Sequence, residues 1–135
     1  MTRGERNHNP LNIRRSRGTR WYGQAQAQND REFVQFVNDL MGYRAAFRII
    51  NTYITHYGLN TVRGIVSRWA PPEDGNMTSQ YINMVCALTG LKPDQKVAAD
   101  DQQKLTEIVA SMARVESGII YPDMDVVNLA YTMAR

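Results

Sequence analysis

The residue of this sequence best placed to do chemistry is Glu116. On a helix stepping about 100° per residue, Leu105, Ile108, Val109 and Met112 form one apolar face. Glu116 falls about 20° from Leu105, in the middle of that stripe. Lys104, Glu107 and Arg114 take the other faces, so solvated positions were open to a carboxylate. A charged group turned toward a core costs several kcal/mol unless it is paired or neutralised. Glu116 also precedes Ser117-Gly118 at the helix C-terminus, where the negative end of the macrodipole disfavours a carboxylate. Burial and dipole both push its pKa upward. A carboxylic acid kept protonated near neutral pH is the proton donor that cleavage of a glycosidic bond requires. The other reading is that Glu116 reaches past the last turn to solvent, or pairs with Arg44 or Arg68.

The elements that must position it are mainly helical. Phe47, Ile50, Ile54 and Tyr57 recur at three- and four-residue steps, which predicts a helix from Tyr43 to about Tyr57, with Gly58 at its C-terminal cap. Val62, Ile65, Val66 and Trp69 predict a second helix, capped by Thr61 and stopped by Pro71-Pro72. After the loop PPEDGN, Thr78 caps a third helix carrying Tyr81, Ile82, Val85 and Leu88 to Gly90. Asp100 or Asp101 opens the helix of Glu116. A last helix spans about Asp125 to Ala134, with Val126, Leu129, Ala130 and Met133 inward. Between Trp21 and about Val37, WYGQAQAQ and EFVQFV flank Asn29-Asp30-Arg31, the arrangement expected of a β-hairpin. About five helices and one small hairpin predict an α+β, mainly helical domain over residues 1–135.

The first 20 residues hold six arginines against Glu5, a charge of +5 that leaves −2 for the rest. They show no periodicity and read as a basic, irregular segment. Coulomb attraction alone does not distinguish nucleic acid from the anionic groups of a cell wall. No helix carries a basic face, so nucleic acid is not an expected partner even with Trp21 and Tyr22 available to stack. Apolar runs are too short to span a membrane, and MTRGERNHNP has no signal-peptide core. Synthesis in the bacterial cytoplasm is expected, with no membrane partner. Cys86 stands alone and can form no internal disulfide. His8 and His56 have no partner at metal-ligand spacing, so no metal and no cofactor is expected.

The strings RGERNHNPLNIRR, WYGQ, FVQF with GYRAAF, and LNTVRGIVSRWAPPEDGNMTSQYI resemble a family of phage and prophage proteins often described as structural. The same blocks resemble pieces of lysozyme-like glycosidases and lytic transglycosylases in changed order. Val115-Glu116-Ser117-Gly118 corresponds to the catalytic helix end, Asn9-Pro10-Leu11-Asn12-Ile13 to the loop after it, and Thr78-Ser79-Gln80-Tyr81 to a later helix start. Circular permutation reconciles that order, since domain termini are often close in space.

The resemblance implies that Glu116 is the general acid, that Tyr81 bonds it or a sugar, and that Asn9 and Asn12 serve N-acetyl groups or the glutamate. The basic N-terminus must then be ordered against the C-terminal half. Trp69 offers a face for a sugar ring, and Asn76 in the PPEDGN loop joins the substrate-binding set. Each has a plainer reading: Tyr81 and Trp69 as core aromatics, the asparagines as turn formers around Pro10. Asp30 and Glu32, in or beside the hairpin turn where a second carboxylate would lie, read first as a solvated turn. The expected function is a phage-derived muramidase or lytic transglycosylase acting on peptidoglycan glycan strands at the cell wall. The alternative is a non-catalytic virion structural or cell-wall-binding protein, with other virion proteins as partners.

Overall fold

Helix boundaries follow the capping chemistry written in the chain. The computed structural model describes residues 1–135, with six α-helices: α1 (Arg3–Arg6), α2 (Asp39–Tyr57), α3 (Val62–Trp69), α4 (Thr78–Thr89), α5 (Gln102–Ser117) and α6 (Met124–Met133). A single 3₁₀ turn, Pro72–Asp74, joins α3 to α4. The side chains of Asn38, Thr61, Asp101 and Asp123 accept from backbone N–H groups in the first turns of α2, α3, α5 and α6. Gly58, Gly90 and Gly118 end α2, α4 and α5 in the left-handed conformation. Thr78 is not a cap: its hydroxyl donates to Ala70 O at 2.6 Å and ties the start of α4 to the end of α3. No helix is long and apolar enough to cross a membrane.

The core runs through all the longer helices and the N-terminal loops, from Leu11 and Phe36 to Ile65, Ile108, Met112 and Val127. α2 lies along α6, α4 along α5, and α3 against α4. Phe47 of α2 and Tyr131 of α6 meet edge to face at 5.5 Å between centroids. Burial of each ring is worth roughly 1.5–3 kcal/mol. The inward face of α6 is Val127, Ala130, Tyr131 and Ala134, whereas Leu129 is exposed. Leu88 on α4 is likewise exposed.

The expected hairpin is absent, and with it the α+β class and the lysozyme-like architecture. Only two isolated bridges form, Arg14 with Phe33 and Gln24 with Phe36. Side chains take up the backbone groups that a ladder would pair. Gln28 Nε2 donates to Ala25 O and Gln35 O, and Gln35 N donates to Gln28 Oε1. Asp30 Oδ1 accepts from the backbone of Glu32 and Phe33. Turn-forming side chains thus outcompete strand pairing. The chain is an all-helical protein with a long, hydrogen-bonded loop region before α2.

Residues 1–15 are docked rather than loose. α1 carries a capping box between Thr2 and Glu5. Arg3 grips Asp30 through two bonds of 2.7 Å, and Asn7 Nδ2 donates to the same carboxylate at 2.9 Å. Gly4 lies so close to the end of α5 that a Cβ there would stand 1.8 Å from Ser117 Oγ. Thr2 Oγ1 donates to Ser117 O, and Ser117 Oγ donates to Pro10 O at 2.7 Å. These contacts bring the N-terminal loop to the C-terminal end of the Glu116 helix.

Candidate ligand groove around Glu116

Asn12 is the link between the loop and Glu116. Its φ of +52° is left-handed, a conformation that asparagine tolerates better than most residues. From there Nδ2 donates to Glu116 O at 3.0 Å and to Glu116 Oε1 at 3.3 Å. One amide therefore satisfies an orphan carbonyl of α5 and holds the carboxyl. Burial raises the Glu116 pKa, opposed by the bond from Asn12, by the nearby Tyr81 hydroxyl and by the charge of Arg14. Glu116 takes part in no ion pair, with Arg44, Arg68 or any other cation. Arg68 instead lies over the rings of Tyr57 and Tyr53, at 4.0 and 5.3 Å.

Tyr81 sits beside this carboxyl. Its phenol is buried and pushed up by desolvation first and the neighbouring Glu116 second. The hydroxyl does not reach good hydrogen-bond geometry with any partner. Asn12 Oδ1 is also buried without a partner, and it is turned toward the backbone of Gly4 rather than outward.

Two cavities open on either side of Glu116. The first, about 400 Å³, is lined by Trp21, Phe33, Tyr53 and Trp69 together with Asn12, Arg14, Arg68, Asp74 and Asn76. Trp69 is half-buried: Nε1 donates to Leu11 O at 3.1 Å and its ring meets Tyr53 edge-on at 6.2 Å. Asn76, whose Nδ2 donates to Pro71 O, lines both cavities, as does Glu116. The second cavity, about 480 Å³, lies between α4 and the end of α5.

The residues named from sequence thus part company. Glu116, Asn12, Tyr81, Trp69 and Asn76 gather around the two cavities. Asn9 does not: it is fully buried, donating to Ile13 O and Val34 O and accepting from Ile13 N, so it shapes the loop and cannot meet a ligand. Asp30 is taken up by Arg3 and largely covered, Glu32 stays exposed with looser contacts to Arg3 and Arg14, and neither lines the cavities beside Glu116. Trp21, Tyr53, Arg14, Arg68 and Asp74 line the groove from separate elements, and no spacing in the sequence links them.

No family model matches the chain. It is 38% identical over 118 residues to Protein P5 of Pseudoalteromonas phage PM2, a match covering 86% of this chain and 71% of the relative. The chain belongs to the family of this phage protein. This relative is a phage protein, and nothing in the match or in the sheetless fold supports the lysozyme-like half of the resemblance. The permuted lysozyme-like fold, the muramidase or transglycosylase activity and the role of Glu116 as general acid are not sustained. The fold has no sheet to carry a second carboxylate. No three of its His, Cys, Asp and Glu side chains gather at one point.

Proposed function

We propose that this protein is a non-catalytic phage virion component that binds the glycan of the bacterial cell wall through the groove beside Glu116. The observation that carries this reading is the lining of the first cavity, where Trp21 and Trp69 stand with the Asn76 side-chain amide and the guanidinium groups of Arg14 and Arg68, Asn12 being spent on holding Glu116. Apolar ring faces suit the C–H faces of sugars, and convergent amides and cations suit hydroxyl, acetamido and carboxylate groups. Kinship with a phage protein supports association with other virion proteins. Glu116, held by Asn12, serves here as an anchor for the loop and a hydrogen-bonding wall of the groove.

Co-sedimentation with purified peptidoglycan sacculi tests the proposal. The wild type should pellet with the sacculi and release no soluble fragments. Trp69→Ala should weaken binding by about tenfold or more, the scale of losing a stacked aromatic contact. A protein that stays in the supernatant at every sacculus concentration overturns the reading.

A further inference from the structure

The second cavity differs in chemistry from the first. Its walls are Met77, Met84 and Val115, which are 66%, 45% and 37% exposed, with Tyr81, Gln80 and Arg114 completing it. Arg114 projects from α5 into solvent and takes part in no ion pair or side-chain hydrogen bond, so its guanidinium is unengaged. A sugar ring carries polar groups around its whole edge and gains little from a wall of methionine and valine. A short peptide with small apolar side chains and a free carboxylate matches it on both counts. The cavity also adjoins the groove, since Glu116 and Asn76 line both.

We infer that this cavity is a binding site for a short acidic peptide attached to the glycan, with its methyl groups against Met77, Met84 and Val115 and a carboxylate on Arg114. The inference rests on the proposed glycan-binding role and sharpens it: the molecule reads peptide-bearing glycan, not bare sugar polymer. The backbone amides of such a peptide would also meet the Gln80 side chain, which can both donate and accept.

The test compares the full-length protein on intact sacculi with its binding to the same sacculi after enzymatic removal of the peptide branches. Affinity should be at least about fivefold higher for the intact material. Arg114→Gln and Met84→Glu should each remove most of that difference while leaving affinity for the stripped glycan unchanged. Both side chains are exposed, so the variants should fold, and circular dichroism checks that they do. Equal affinity of the wild type for both materials overturns the peptide site and leaves glycan binding standing. Equal weakening on both materials by Arg114→Gln also overturns it, because the arginine then acts on the sugar. Binding to neither material overturns both readings. If these residues instead cover a second copy of the chain, the variants will abolish a concentration-dependent dimer without changing the preference for peptide, which also overturns the site.

Discussion

At Glu116, burial favours the neutral acid while Asn12, Tyr81 and Arg14 favour the carboxylate, and burial is the larger influence. The direction has a consequence for stability. A group whose pKa is higher in the folded than in the unfolded chain binds its proton more tightly when folded. Its contribution is fully present below the unfolded value, near 4.5, and is lost as pH rises through the raised folded value. Glu116→Gln keeps the acceptor for Asn12 and has no charge to desolvate. The variant should therefore gain thermal stability relative to wild type as pH is raised from about 4 to about 8. Paired melts across that range check it; a gap that does not change with pH would show that the carboxyl is not desolvated in the folded protein. The place of Glu116 on the apolar stripe was legible from the period of α5 alone. Its partner Asn12 was legible only through the resemblance, which set it toward N-acetyl groups or the glutamate, since no local rule bears on a contact that spans 104 residues.

The elements show where local rules suffice and where they stop. α2 to α6 are each visible in the apolar period, and α2, α3 and α5 also in a cap, because those interactions lie within a few residues of each other; the N-terminal cap of α4 and the inward face of α6 are not. The hairpin reading failed because alternation of apolar and polar residues in EFVQFV is also what a loop needs to bury Val34 and Phe36 while glutamines satisfy its backbone. α1 was overlooked although its capping box, Thr2 to Glu5, is present in the sequence. One turn of helix carries no period to detect, and its stability comes from docking on α5. Gly4 is the contact point. Gly4→Ala places a methyl group against Ser117 Oγ, which cannot swing aside without leaving Pro10 O. The expected cost is about 1–3 kcal/mol, the range for overpacking a tight interior site. Denaturant midpoints should fall accordingly. An unchanged midpoint would mean that α1 contributes nothing to the fold that supports Glu116.

For the molecule as a whole, folding redistributes the charge concentrated in the first 20 residues. Arg3 and Arg14 are drawn to Asp30 and Glu32, and both also lie over the Phe33 ring. Arg17, Arg20 and Arg31 have no acidic partner, while Ser16 and Thr19 of the same loop line the groove. The net excess of positive charge is therefore set beside the groove, where it can draw an anionic wall toward the rings without deciding which group is recognised. Free cations at a binding rim act mainly through long-range attraction, which salt screens: the Debye length falls from about 30 Å at 0.01 M to about 3 Å at 1 M. Binding to sacculi should weaken steadily over that range for the wild type. Arg17→Gln with Arg20→Gln should flatten the dependence and lower low-salt affinity by roughly threefold to tenfold, while the preference for peptide-bearing over stripped glycan stays the same. If the double variant keeps the full salt dependence, attraction resides elsewhere, in Arg14 and Arg68 inside the groove. If it loses the preference as well, the loop contacts the ligand directly and the division between attraction at the rim and recognition within the groove does not hold.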